Sequence, residues 1–286
     1  MHKKTAILTL FLVITIVMQS CYKEKVVYET DPNDMLQLPV LLKLDGRECF
    51  FDAQFNMLRY AFSKDSSGFS PKVEFANESQ VYFEGKRLGN NQINNFGTVE
   101  VGTPYQLTIE KNGSKKEFDL IFTNNPIIQV ICDSEIYDEP KTLARIKISA
   151  PFSPADFSSY CGIEHRGKFT KYEDKRSMGF ELRQNMNSTS EYSAGIFNFK
   201  PNTDWILTSA VIDPSRIRNA VSFNIWNQLS GWDDGKNAKH IGIDSKLIEL
   251  FLNTKFHGIY VFSERINRTF LNAGNDAVLY KAEEWA

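Results

Sequence analysis

Arg166 and Gly167 form the turn of the stretch CGIEHRGKFTKYEDKRSMGFELR, and Lys168, Lys171, Lys175 and Arg176 follow close behind. A glycine lets backbone approach a phosphate, and flanking cations stabilise its charge, so this spacing suits contact with a phosphate group. The same residues also fit a plain basic hairpin, a strand on each side of Arg166-Gly167 with its charges in water. Other chemistries lack their residues. The chain has no G-x-S-x-G elbow, no H-E-x-x-H pair, no Walker loop and no G-x-G-x-x-G turn. His165, His240 and His257 are isolated along the chain, and Asp233-Asp234 reads as a solvated turn.

A net charge of -2 gives no general drive toward nucleic acid, which needs a basic face to displace counterions from phosphate. The N-terminus, MHKKTAILTLFLVITIVMQSC, has a basic start, an apolar run and Ser20 before Cys21. This pattern predicts an export signal over 1–20. The placement of Cys21 resembles a bacterial lipobox, in which the cysteine carries lipid after cleavage, so the expected localisation is the cell envelope, held to a membrane by the lipid. Residues 21–37 are charged and turn-rich and read as a tether. Cys49, Cys132 and Cys161 then allow at most one intrachain disulfide, and fit buried unpaired thiols equally well.

From Leu38 to about Asn125, short alternating runs separated by Gly, Asn and Pro predict an immunoglobulin-like β-sandwich, with Asn112-Gly113 as a hairpin turn. Its aromatics Tyr60, Phe62, Phe75, Tyr82, Phe83 and Tyr105 alternate as core residues do, although a glycan platform would use the same types. An acidic junction around Glu139-Pro140 leads to a second domain over 140–286. There the sequence predicts strands and one helix, opened by Asp213 as N-cap with Pro214 at its first position. Ile217, Val221, Ile225 and Leu229 recur every four residues, a stripe expected to pack on a sheet. The expected class is therefore α+β.

Three blocks of the second domain carry a resemblance. The basic hairpin is followed by DWILTSAVIDPSRIRNAVSFNIW and then by KLIELFLNTKFHGIYVFSERINR. Together, from about Thr142, they resemble the CotH family, spore-coat-protein-H-like atypical protein kinases. The resemblance implies phosphoryl transfer from ATP with Mg or Mn to a protein substrate, with Arg166, Gly167, Lys175 and Arg176 facing the nucleotide. It implies that Asn253-Thr254 closes a hairpin, that Gly258 allows close backbone approach, that Tyr260 to Ile266 lies near the adenine, and that Glu264 is the family's glutamate, a residue that equally fits a pair with Arg265 or Arg268. Phe169 and Asp174 stand where the family has Ser and Pro, and Thr254 where it has Gly. In the family the metal-holding acids follow the hairpin, and Glu283-Glu284 make a poor cage. The expectation is thus the N-terminal, nucleotide-contacting portion of a CotH kinase-like domain without its catalytic lobe, leaving Phe251, Ile259 and Val261 partly uncovered. A non-enzymatic surface module with a protein partner is the alternative.

Overall fold

Alternation with a period of two governs most of the chain. In Ser79–Phe83 the residues Ser79, Val81 and Phe83 are buried while Gln80 is exposed, the mark of a strand with one face on a core. The computed structural model describes residues 42–280 apart from 64–65, 154, 169–171, 187–189, 231–241, 272, 275, 277 and 279. The expected signal, the tether and Cys21 lie outside the described residues, as do Phe169, Lys171, Asp233-Asp234, His240 and Glu283-Glu284.

The first body contains β1 (Lys43–Leu44), β2 (Arg47–Glu48), β3 (Phe50–Asp52), β4 (Met57–Ala61), β5 (Ser66–Phe69), β6 (Lys72–Glu74), β7 (Ser79–Phe83), β8 (Lys86–Arg87), β9 (Gln92–Ile93), β10 (Gly97–Val99), β11 (Pro104–Lys111) and β12 (Ser114–Thr123). They pair as β2-β1-β6-β9, β10-β5 and β3-β4-β12-β11-β7-β8. Asn112 and Gly113, at φ 51 and 78, close the β11–β12 hairpin between Lys111 and Ser114, the left-handed pair that a two-residue turn requires. Tyr60, Phe62 and Phe83 are buried, and Phe75 and Tyr105 pack against the same cluster. These aromatics are core. Tyr82 stays half-buried with its hydroxyl on Gln80.

The second body is a closed barrel. Its strands are β13 (Ile127–Ile131), β14 (Thr142–Ser149), β15 (Phe157–Arg166), β16 (Ser177–Arg183), β17 (Asp204–Thr208), β18 (Ser245–Leu252) and β19 (Lys255–Glu264), ordered β13-β14-β15-β16-β17-β19-β18. Closure removes the exposed strand edges. β13 lies upstream of residue 140, so the barrel starts before the acidic junction. Inside, Trp205 stacks on Phe262 with ring centroids 5.0 Å apart, among Ile146, Ile163, Phe180, Leu207 and Leu250. Each such buried side chain contributes about 1.5–3 kcal/mol relative to exposure.

The described residues belong to one compact unit. The contacts between the two strand bodies explain it. Phe50, Ala61, Ile127 and Phe251 form a shared buried cluster. Arg59 reaches Glu249 at 3.1 Å, Thr123 donates to the same carboxylate at 2.6 Å, and the Ala53 N–H donates to the Thr254 carbonyl at 2.8 Å.

The helix start, the helix stripe and the uncovered hairpin depart from expectation. The architecture is strand-rich, and its longest helix among the described residues, α1 (Arg218–Ser230), starts four residues after Pro214. Arg216 at φ 62 breaks the helical path, and the Asp213 carboxylate takes the N–H groups of Ser215 and Arg218 across a turn instead. The stripe of α1 does not pack on a sheet: Ile217, Val221, Ile225 and Leu229 are 41%, 44%, 52% and 57% exposed. Phe251 and Val261, expected to be uncovered, are buried at 0% and 1%, because Phe50 and Phe256 cover Phe251 from the first body and the hairpin, and Val261 pairs with Thr208 inside the barrel wall. Ile259 is partly exposed, as expected.

Candidate functional site

Strand register decides which loops meet. Arg166 pairs with Ser177, Met178 with Leu207, Thr208 with Val261 and Leu252 with Lys255. The strand ends at Arg166, Ser177, Thr208, Leu252 and Lys255 therefore lie toward one end of the barrel. The buried Ser177 and Ser209 hydroxyls, 3.1 Å apart, tie two strand ends together there.

Lys175 is the best-positioned cation of this end. Its Nζ donates to the Ile259 carbonyl at 2.5 Å and stands 4.6 Å from the centroid of the Tyr260 ring. The Tyr260 hydroxyl donates to the Arg176 carbonyl at 3.0 Å and lies 3.1 Å from His257 Nδ1. Gly258, at φ 96, has no side chain where a Cβ would sit 3.4 Å from Lys175 Nζ, so the ammonium can lie close on the hairpin backbone. Arg216 turns its guanidinium back to the Ala210 carbonyl at 2.8 Å.

The electrostatics of this end run one way. Burial, and then the neighbouring Arg216, pull the Lys175 pKa down to about 8. Burial and then Arg176 lower His165, although Asp138 and Glu135 oppose them. Burial, then Lys255 and Lys175, lower His257. Among the described residues no carboxylate pairs with Lys175, Arg176 or Arg216, and His165 Nδ1 is buried without a hydrogen-bond partner. Like charges crowded in a partly dry site raise its potential toward anions.

The other expected residues are dispersed. Arg166 follows the inward-facing His165 and so lies on the outer wall, over Gly179, with its pKa lowered by burial and then by Arg265, and raised by Glu164. Gly167, at φ 107, reverses the chain after it. Arg176 donates from Nε to the Glu173 carbonyl at 3.4 Å. Glu264 does not join Lys175. It is 1% exposed, lies opposite Trp205 in the register, and accepts the Asp244 N–H at 2.8 Å. At about 3.3 Å per residue along β19 it stands roughly 16 Å from Ile259. Nor does it pair with Arg265, which reaches Asp204 at 2.9 Å. Arg216 and His257 were not legible as site residues, because only the register brings them beside Lys175.

Residues 163–285 match the CotH family, described as CotH kinase protein. No curated protein gives a match. The CotH segment begins within β15, so it contains Arg166, Lys175, Arg176, Arg216, His257 and Glu264, while β13 and β14 complete the barrel from outside it. Among the described residues no three His, Cys, Asp or Glu side chains gather as a group able to hold a metal ion. Lys175, Arg176 and Arg216 at this end are cationic, a set that complements an anion. Cys49, Cys132 and Cys161 are free thiols, and burial pushes Cys161 up to about 12, well away from the reactive thiolate range.

Proposed function

We propose that the barrel end around Lys175 binds the phosphates of a nucleotide, ATP being the one the CotH match suggests, as the nucleotide-contacting part of a kinase-like unit. The observation that carries this reading is Lys175, half-buried, with a lowered pKa, beside Arg216 and without a carboxylate partner among the described residues. A phosphate oxygen would supply the missing countercharge, and Arg176 and Arg216 would share it. ATP supplies the transferable phosphoryl group. Nucleotide binding is the behaviour proposed for this chain.

Calorimetric titration of the full chain with ATP tests the reading, with Lys175→Met as the control. Binding weakened at least about tenfold by that change supports it, equivalent to about 1.4 kcal/mol. Absence of ATP binding, or indifference to Lys175→Met, favours the competing non-enzymatic surface module. Phosphoryl transfer from labelled ATP that is lost in Lys175→Met would extend the reading from binding to turnover.

The first body is proposed to be an immunoglobulin-like module that braces the barrel, with the buried Arg59–Glu249 contact in support. The start of the chain is proposed to direct export and lipid attachment at Cys21, as the basic, apolar, Ser20-Cys21 order suggests. Metabolic labelling with a palmitate analogue should tag the chain and fail in Cys21→Ala. Label that persists in that variant would sink the anchor.

A further inference from the structure

A second polar site lies on the outer wall of the barrel. Arg145 on β14, Tyr160 on β15 and Arg183 on β16 stand directly opposite one another in register, an Arg-Tyr-Arg row across three strands. Their neighbours Ala144, Cys161 and Leu182 point into the core, so alternation places this row outward. With Ser158, Gln184 and Tyr192 the row lines an open cleft of about 530 Å³.

The cleft is built rather than incidental. Gly162 leaves a gap in the sheet, and a Cβ there would fall 2.7 to 2.9 Å from the Arg183 guanidinium. The missing side chain is what lets that guanidinium lie flat on the wall. Both Nε and Nη2 of Arg183 donate to Glu181 Oε1, at 3.1 and 2.6 Å, and Lys141 takes the other carboxylate oxygen. Glu181, 6% exposed, is thereby committed to two cations and fixes the orientation of Arg183. Arg145 is exposed and has no acidic partner among the described residues. The Tyr192 hydroxyl donates to Ser159 at 2.6 Å, which fixes that wall.

Among the described residues no carboxylate lines the cleft. Two guanidinium groups offer the forked geometry that a carboxylate accepts in a bidentate manner. Tyr160, 36% exposed between them, presents a ring face, and the serine, glutamine and phenol groups can exchange hydrogen bonds with hydroxyls. The volume is in the range of about 300–1,000 Å³ that organic ligands occupy, and too large for a bare inorganic anion to fill. We propose that this cleft binds a carboxylated sugar ring, a unit of an acidic saccharide. Tyr160 is six residues from Arg166 along β15, roughly 20 Å at about 3.3 Å per residue, so the cleft is a site separate from the Lys175 end.

The test uses the full chain, titrated by calorimetry with trigalacturonate, with a neutral galactose trisaccharide and with inorganic phosphate. Trigalacturonate should bind, more weakly as salt rises, and the neutral sugar should not. Arg145→Ala and Gly162→Ala should each weaken trigalacturonate at least tenfold while ATP titration and the near-ultraviolet dichroism stay as in the parent chain. Gly162→Ala acts by pushing the guanidinium aside, and Arg145 is an exposed side chain, so neither depends on unfolding. No trigalacturonate binding at millimolar concentration, equal binding of the neutral sugar, full competition by phosphate at equal concentration, or indifference to both substitutions would each overturn the proposal.

Discussion

Glu249 and Lys175 are both charges drawn out of water within the same compact unit, and their surroundings are opposite. Glu249 is 4% exposed and is matched by Arg59 at 3.1 Å and the Thr123 hydroxyl at 2.6 Å, while the Arg59 guanidinium also covers the Phe256 ring at 4.1 Å. Lys175 has a carbonyl and an aromatic face, and its nearest charge is another cation. A matched buried charge holds two bodies together. An unmatched one costs stability when protonated, and that cost makes sense where a ligand completes the set.

The comparison breaks most visibly at the matched pair. Arg59→Ala leaves Glu249 buried with only neutral partners and is expected to destabilise the chain by about 3–5 kcal/mol, the usual penalty for orphaning a buried ion. Urea unfolding measures it. The paired change Arg59→Met with Glu249→Leu should recover most of the loss, since an apolar pair of similar volume replaces a buried ion pair at little cost. A loss under about 1 kcal/mol in Arg59→Ala would mean that solvent reaches this pair as it reaches surface bridges.

Lys175 should behave in the opposite way. Its substitution by Met is expected to leave urea stability unchanged or slightly higher, while ATP affinity drops. The pH dependence has a definite sign. The folded pKa near 8 lies below the ordinary 10.5, so between those values the unfolded chain holds more protons and stability rises with pH. The stability of the parent chain minus that of Lys175→Met should therefore increase from pH 8 toward 10.5, and ATP affinity should weaken over the same range as the ammonium loses its proton. A flat difference curve would remove Lys175 from the set of perturbed groups.

How much of this was legible in the sequence differs between the two charges. Lys175 and Arg176 are adjacent to a Gly turn in one short stretch, so local composition points to them. Arg216 and His257 lie far along the chain, and only the pairing of β17 with β19 places them alongside. Arg59 and Glu249 are 190 residues apart, and nothing local marks either. Glu264 lies apart from Lys175 because strand parity turned its side chain toward Trp205 inside the barrel, which a residue type at a position does not reveal. The hairpin at Asn112-Gly113 was legible because its left-handed backbone is a local demand. The helix stripe was legible as periodicity and wrong as packing, since period alone does not say what covers a face.

That stripe yields the smallest expected effect and extends the comparison from charges to apolar groups. Ile225 is 52% exposed on α1, whereas Leu250 is fully buried among the barrel's core residues. Both are aliphatic, yet only Leu250 has lost its water. Leu250→Ala removes buried methyl groups and leaves a cavity, for an expected loss of about 2–5 kcal/mol. Ile225→Lys gives up only partly buried area, and a long straight side chain is a better helix former than a β-branched one, so the net change should stay within about 0.5 kcal/mol. Urea unfolding of the two variants side by side decides it. A loss above about 1.5 kcal/mol in Ile225→Lys is too large for a solvated position and would mean that this face of α1 is covered in solution, making it a matched surface like that around Glu249.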